Sequence, residues 1–495
     1  MLAYGEYSPD ISDTAPGVSP QILNVIPKAD TETGVAYKPF PSFQAVPGAS
    51  AFPDTPRGGI SIVNPSTGNY EIYLCSASDI YQMQADYSWV SIGSGYTLPA
   101  EDEWSIIQFG NYLVFTNRSD GMLQYNVVSG GAITAIPNAP KARFIFVAFD
   151  CVFALDCDGE NRLIRNSGTN DHTVWTPGKN NSQYQPIADG QELVAGGAIN
   201  DATAIILQRN SIRVLHRTGD AKLYSMNKLA ENIGCINGRT LASIGTELFF
   251  QGTDGFYRVN ASGVTAIGSQ RVNSTYLSDT DENNFFTVQA AVDPVNKLVI
   301  WMYHPADSVD DPYLLSNGFG YAYQIDKWFK IDMEGETETS ILGFYQFATP
   351  GYGMDSIDGF GTLDSLPYSL DSRFWNGGEP TFGGISSTGV FGFFNGTAMA
   401  ADLWTQTVMS DQSQNIIWVT PVDDANGGVV AIASRDKLAD TSPTVKSTST
   451  INSGGRAPIR ARGKINQGRR TISSGTTWTY ARGVEYIVGT TGGFR

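Results

Sequence analysis

The 495-residue sequence has little charge, few cysteines and few histidines. Charged residues make up 16%, against about 25% in an average globular protein. The soft metal ligands are Cys75, Cys151, Cys157, Cys235, His172, His216 and His304. None of them stands in a C-x-x-C pair or at zinc-ligand spacing, so we interpret the cysteines as reduced core thiols and expect no metal or other cofactor.

Long apolar runs and enzyme signatures are also missing. Wholly apolar stretches stay under ten residues, whereas about 20 are needed to cross the hydrocarbon core of a bilayer, so we expect no membrane span. The opening MLAYGEYSPD lacks a basic region followed by an apolar one, which favours synthesis in a cytosol. Because no nucleophile elbow, Walker loop or H-E-x-x-H motif occurs, the sequence predicts no catalytic residues and a protein that is not an enzyme.

What the sequence does contain is glycine, at 53 residues, and aromatic side chains, at 12%. From about residue 58 to 340, an apolar strand, a polar turn and a second strand recur at intervals of 39 to 53 residues. The first strands of these units are predicted to centre on Tyr73, Val114, Phe153, Ile206, Phe249 and Ile300. A period near 45 residues is typical of β-propeller blades, so we predict an all-β protein with a β-propeller of about six blades.

Composition divides the chain into three parts. Residues 1–57 hold nine of the 24 prolines, which indicates an extended N-terminal arm that docks on a neighbouring surface. Residues 58–345 carry the propeller blades. Residues 346–495 are expected to form an Asp/Gly-rich loop module and a β-rich C-terminal segment with a basic end.

Two Asp-Gly steps, Asp120-Gly121 and Asp254-Gly255, occur in units that resemble each other. Tight hairpin turns need positive φ, which Gly and Asp tolerate, so we interpret these four residues as structural turn residues. The sialidase-type blade motif differs because it places a residue between Asp and Gly.

The Asp-rich stretch after the repeats offers a possible cation site. Its carboxylates are Asp355, Asp358, Asp364 and Asp371. Ca²⁺ prefers six to eight oxygen ligands, but this spacing matches no known calcium loop. Whether these residues bind a cation or only cap turns stays open.

Charge is segregated along the chain. Residues 456–495 contain eight Lys or Arg and one acid, so this end carries +7 while the rest carries −24. The cluster comprises Arg456, Arg460, Arg462, Lys464, Arg469 and Arg470. We interpret it as a subunit-interface candidate that meets an acidic face of its own or a neighbouring subunit; single-stranded nucleic acid and a plain solvated surface are the alternatives.

Several phrases, taken in order, resemble the tail-nozzle proteins of short-tailed phages, including those called packaged-DNA stabilisation proteins. They are NVIPKADTETGVAYKPFPSF (24–43), EIYLCSASDIYQM (71–83), WSIIQFGNYLVFTNRSDGMLQYN (104–126), IGCINGRTLASIGTELFFQGTDGFYRVN (233–260) and AVDPVNKLVIWMY (291–303). The resemblance covers most of residues 1–345. It implies a structural virion protein, assembled in the host bacterial cytoplasm, that forms the distal tube of a phage tail as a homo-oligomer, with a hexamer expected.

The resemblance also implies partners: the tail adaptor, tail fibre or spike proteins, and double-stranded DNA that passes through at ejection. A net charge of −17 fits a DNA conduit that does not adsorb phosphates. The alternatives are a receptor-binding tail knob and a propeller that binds or hydrolyses glycans.

Overall fold

The computed structural model describes residues 1–31, 34–219, 222–348, 378, 380–437, 440 and 444–489. This part of the chain is almost entirely β-structure, with one short α-helix and two short 3-10 helices. The Asp-rich stretch with Asp355, Asp358, Asp364 and Asp371 lies outside the described residues.

The N-terminal arm forms short strands. They are β1 (Leu2–Ala3), β2 (Glu6–Tyr7), β3 (Val18–Ser19), β4 (Ile22–Leu23), β5 (Val25–Asp30), β6 (Gly34–Pro39) and β7 (Pro41–Ala45). Apart from the parallel β2–β3 pair, each is added to a sheet formed by later parts of the chain.

Five four-stranded antiparallel sheets follow, named blades 1 to 5 in chain order. Blade 1 contains β8 (Gly59–Val63), β9 (Tyr70–Cys75), β10 (Asp79–Met83) and β11 (Trp89–Ser94); blade 2 contains β12 (Ser105–Phe109), β13 (Tyr112–Thr116), β14 (Leu123–Asn126) and β15 (Thr134–Ala135). Blade 3 contains β16 (Ala142–Ala148), β17 (Cys151–Cys157), β18 (Glu160–Asn166) and β19 (Gln183–Pro186); blade 4 contains β20 (Leu193–Asn200), β21 (Thr203–Gln208), β22 (Ser211–Arg217) and β23 (Tyr224–Glu231). Blade 5 contains β24 (Ala242–Ser243), β25 (Leu248–Gly252), β26 (Gly255–Asn260) and β27 (Gly263–Ala266), preceded by a 3-10 helix over Gly238–Thr240.

The helix α1 (Asn273–Asp279) and a 3-10 helix over Glu282–Thr287 lead into the next strands. These are β28 (Gln289–Asp293), β29 (Leu298–Tyr303), β30 (Leu314–Leu315), β31 (Asn317–Ala322), β32 (Lys327–Asp332), β33 (Ile341–Ala348), β34 (Pro380–Ser386) and β35 (Phe391–Ala398). The junction unit consists of β28, β29, β31 and β32. The closing sheet has the order β30-β33-β34-β35-β7 and so takes its last strand from the arm.

The C-terminal strands are β36 (Ala401–Trp404), β37 (Val408–Asp423), β38 (Val429–Arg435), β39 (Thr444–Thr450), β40 (Ala457–Ile472) and β41 (Ala481–Val488). They join the junction unit and the arm in a 14-stranded sheet whose main order is β28-β29-β31-β32-β4-β36-β40-β37-β41-β6-β5. The junction unit is therefore the start of the C-terminal sheet.

The predicted all-β propeller of about six blades is confirmed. Six small sheets, blades 1 to 5 and the closing sheet, form blades, and the junction unit stands between blade 5 and the closing sheet. The first strands contact in turn from β8 to β20, β24 contacts β28, β28 contacts β33, and β33 contacts β8. Separate apolar clusters fill the spaces between successive sheets, so burial of each sheet against the next holds the ring together.

The repeating apolar segments are the second strands of their blades, not the first as the sequence suggested. Tyr73, Phe153 and Ile300, for example, lie in β9, β17 and β29. Strands β17 and β29 are buried along their whole length because a sheet packs on each of their faces. A first strand such as β12 is only partly buried and carries a weaker apolar signal.

The expected boundaries also need adjustment. Propeller strands continue to Ala398, beyond the expected end at 345, and the arm docks on its own chain. The arm even supplies a central strand, since β4 pairs with β32 on one side and β36 on the other. Among the described residues, no helix is long and apolar enough to cross a membrane.

Candidate functional site

Arginines and carboxylates from successive blades meet where the first strands of the propeller begin. Arg57 precedes β8, Asp102 and Glu103 precede β12, Arg143 lies in β16, and Arg239 lies in the 3-10 helix before β24. First strands line the axis of a propeller. These side chains therefore gather at one end of the axis, and we call them, with Arg118, Asp156, Glu192 and Arg209, the axial network.

The pair between Arg239 and Glu103 joins a buried arginine to a partly exposed acid. Arg239 Nε lies 2.6 Å from Glu103 Oε2, and the Arg239 side chain is only 2% exposed. Arg239 Nη2 also donates to the Asp102 carbonyl at 3.4 Å. This contact joins the entry of blade 5 to the entry of blade 2 across the axis.

Further pairs link blades 2, 3 and 4. Arg143 Nε lies 3.6 Å from Asp102 Oδ1, and Arg143 Nη1 lies 3.8 Å from Glu192 Oε1. Glu192 also accepts from Arg209 at 2.9 Å. Arg118 pairs with Asp156. The network thus connects the loops of several blades through charge-assisted contacts.

Arg57 fixes the loop before β12 through backbone carbonyls. Its guanidinium donates to the carbonyls of Pro99, Ala100 and Asp102 and lies 4.7 Å from the centre of the Tyr313 ring. Burial lowers the pKa of Arg57, and neighbouring Arg239 lowers it further, although Glu103 acts in the opposite direction. A side chain held in this way is a structural clamp.

Burial is the largest influence on the pKa of two acids of the network, Glu103 and Asp156. It raises the pKa of Glu103 although Arg239, Arg143 and Arg57 all act to lower it, and it raises the pKa of Asp156 against the influence of Arg118. The cavity lined by Asp102, Glu103, Arg143 and Arg239 has a volume of about 40 Å³. Small-molecule sites usually have about 300–1,000 Å³, so this space holds a few waters at most and no substrate.

The Asp-Gly steps lie in turns within the chain. Asp120 Oδ2 accepts from the Thr97 amide at 2.8 Å, and Gly121 has φ +83° in the six-residue turn between β13 and β14. The turn between β25 and β26 is the two-residue Thr253-Asp254 loop, so Gly255 is the first strand residue, with φ +137°. A side chain at Gly255 would collide with Asn273.

Two members of the basic cluster pair inside the chain. Arg470, which is fully buried, contacts Asp423 through Nε–Oδ2 at 2.8 Å and Nη2–Oδ1 at 3.1 Å. Arg469 contacts Asp402 at 2.8 and 3.0 Å and lies over the Trp404 ring. Arg470 is therefore a core residue of the C-terminal sheet, and neither arginine is kept as an interface candidate.

The other four members point to solvent. Arg460, Arg462 and Lys464 alternate along β40 with the buried residues Ile459, Ala461 and Ile465. Arg456 lies exposed just before the strand. Within the described part of the chain, none of the four forms an ion pair. We call Arg456, Arg460, Arg462 and Lys464 the basic stripe.

Histidines and cysteines form no common site. His172 Nε2 lies 2.6 Å from Gln124 Oε1, and His304 Nδ1 lies 2.9 Å from the Leu314 carbonyl. All four cysteines are buried and free. No group of three or more His, Cys, Asp or Glu that could hold a metal occurs among the residues that the structure describes.

Sequence reasoning missed the axial network entirely. Its members are scattered between residues 57 and 239 at no fixed spacing, and only the ring brings them together. One signal was available: Glu101-Asp102-Glu103 is a run of three acids directly before the strand around Ile107.

No protein-family model matches the chain, and no curated protein matches it. Among solved structures, it is similar to a streptogramin B lyase, with 9% identity over 62% of this chain and 93% of that chain and a TM-score of 0.39. It is also similar to BBS1N in complex with ARL6DN, with 8% identity over 72% and 96% and a TM-score of 0.42. The WD40 domain of Neurospora crassa Pan2 follows, with 9% identity over 53% and 83% and a TM-score of 0.31. At these TM-scores the likenesses carry no functional argument; the β-propeller class stands on the strand pairing of the chain itself.

Proposed function

We propose that this protein is a structural subunit of the tail of a short-tailed phage, which forms a ring of the distal tail tube, retains packaged DNA and provides its path at ejection. The ordered sequence phrases that resemble tail-nozzle proteins are the origin of this proposal. In this proposal the protein is not an enzyme, and the expected assembly is a hexamer that contacts the tail adaptor and the fibre or spike proteins.

The observation that carries the proposal is the filled axial end of the propeller. Ion pairs around the buried Arg239 occupy one end of the propeller axis, and the space between them is about 40 Å³. Such a propeller serves as a rigid body. It is also too narrow to conduct a DNA duplex, whose major groove alone is about 12 Å wide. In this proposal, the channel lies between subunits of the ring.

Charge supports the same function. The formal charge of −17 disfavours lasting contact with phosphates, as a DNA conduit requires. A closed ring needs a heterologous interface in which two different surfaces of the subunit meet.

The test is the mass and rotational symmetry of the assembled protein. We expect purified protein, concentrated with its tail adaptor, to form rings in negative-stain electron microscopy and multiples of 53.4 kDa in mass photometry. A subunit that stays monomeric at every concentration, with and without the adaptor, contradicts the proposal. Turnover of a cell-surface polysaccharide would favour a glycan hydrolase instead.

A further inference from the structure

The basic stripe is built as an exposed row on a rigid strand. Residues two apart on an antiparallel strand are about 7 Å apart and share a face, so Arg460, Arg462 and Lys464 form a straight line of charge. Their backbone is held by the long strand β37, with Asn415 opposite Arg462 and Gln414 opposite Gly463. The charges are thus presented in fixed positions, and among the described residues no acid forms an ion pair with them.

Apolar side chains lie on the same face as the stripe. Trp418 pairs with Pro458 of β40 on one side and with Ile487 of β41 on the other. Cross-strand partners face the same side of a sheet. Ile487 is 43% exposed, and Pro458 is exposed as well. An occupant of this face therefore needs an apolar side chain beside negative charge.

The chain itself carries a segment with that composition. We call residues 305–313, between β29 and β30, the acidic loop: Asp307, Asp310 and Asp311 are exposed, and Val309 between them is 98% exposed. Among the described residues, no Lys or Arg forms an ion pair with these three acids.

The acidic loop is held at both ends. Pro305 bridges to Thr280, and the Tyr313 hydroxyl donates to the Ala100 carbonyl. Only the tip with Val309 stands free of the propeller. Because the loop is anchored, docking it costs less conformational entropy than docking a free segment would.

We propose that the acidic loop of one copy docks on the basic stripe of the next copy. In this contact, Val309 lies against Trp418 and Ile487 of the neighbour, while Asp307, Asp310 and Asp311 pair with Arg460, Arg462 and Lys464. Loop and stripe are different surfaces, so the contact is head-to-tail and propagates around a ring. The inference rests on the proposed function, since it assumes that the subunits form a ring.

A nine-residue loop covers only part of the roughly 800 Å² per partner that a stable interface buries. Its role is to set partner choice and register, which is what complementary charges do best.

The test is a charge swap. Deleting 456–495 is unsuitable because β40 lies inside the C-terminal sheet. We expect R460E/R462E/K464E and D307K/D310K/D311K each to weaken assembly at least tenfold in mass photometry, and the combined six-residue swap to restore it. The matched control is K28E/K179E/K222E. It replaces three exposed lysines elsewhere, changes the net charge of the protein by the same amount as the stripe reversal, and should assemble like the wild type.

A second measurement does not depend on charge variants. All four native cysteines are buried, so a Val309→Cys/Ile487→Cys double variant should form disulfide-linked multimers on mild oxidation of assembled protein.

The outcomes separate the two levels of the proposal. If both triple variants form rings normally, the loop-to-stripe contact is overturned and the ring itself is not. The same conclusion follows if the double-cysteine variant forms rings that do not cross-link on oxidation. Loss of binding to a 30-base-pair duplex in R460E/R462E/K464E, with assembly unchanged, identifies nucleic acid as the occupant and also overturns the contact. A wild-type protein that never assembles overturns the proposed function as well.

Discussion

Arg469 and Arg470 are neighbours on β40 that make the same kind of ion pair at different depths. Each donates two hydrogen bonds to one carboxylate, of Asp402 and Asp423 respectively. The Arg470 side chain is 0% exposed, whereas that of Arg469 is 37% exposed. The two residues therefore allow a buried ion pair to be compared with a partly exposed one at nearly constant geometry.

We expect Arg470→Met to destabilise the C-terminal sheet by about 3–5 kcal/mol, because it leaves the buried Asp423 carboxylate without its ion-pair partner. Arg469→Met should cost about 1–2 kcal/mol, from a partly screened pair and a lost cation–π contact with Trp404.

Native-state hydrogen exchange of peptides covering 457–472 measures this effect, since it reports the opening free energy of β40 separately from that of the propeller. The double variant Arg470→Met/Asp423→Leu is the control and should return to within about 1 kcal/mol of the wild type. Equal losses for Arg469→Met and Arg470→Met would refute the reasoning.

Three further predictions concern the propeller and the arm. The side chain of Asn24, which has φ 57°, takes part in three hydrogen bonds with β32 and the residue before β36. Asn24→Ala should cost about 2–4 kcal/mol in thermal or urea unfolding, and a loss below about 1 kcal/mol would contradict this bridging role. Phe43→Ala should destabilise the closing sheet by about 3–5 kcal/mol and expose the arm to limited proteolysis, because the ring centres of Phe43 and Phe394 are 5.4 Å apart. An unchanged cleavage pattern would show that β7 does not close the ring. Burial raises the pKa of Asp279. The hydrogen bonds that its carboxylate accepts, first that from Lys330, lower the pKa by more, so the net shift is downward. Stability from this group is present above the unfolded pKa of about 3.9 and is lost as the pH falls through the lower folded value, and Asp279→Asn should flatten the acid side of the melting-temperature profile; an unaltered profile would exclude the effect.

Much of the propeller could be predicted from sequence because second strands are buried on both faces. The segments around Phe153 and Ile300 are almost wholly apolar, and their spacing gives the length of a blade. The closing sheet could not be predicted, because β7 and β35 are paired although they are about 350 residues apart. No local pattern contains that information.

The basic end shows both the value and the limit of counting charge. The alternation of Ile459, Arg460, Ala461 and Arg462 indicates a strand with one solvent-exposed face, and the structure has this arrangement. The same alternation does not show that Arg470 is buried. Its partner Asp423 is 47 residues away in the sequence. The two meet because Arg470 lies opposite Val430 of β38, the strand that follows Asp423 after a short loop.

Closure of the ring by β7 also sets an order of events during synthesis. Pro41–Ala45 leaves the ribosome early, but its partner strand Phe391–Ala398 follows only after roughly 350 residues, which takes about 20–70 s at common translation rates. During that time Phe40 and Phe43 lack Phe394, against which both pack in the folded protein. A cell that makes this protein must therefore keep a nascent N-terminus from aggregating until the final blade arrives, and shortening that delay by circular permutation, with the arm strand placed after Ala398, should raise the yield of soluble protein.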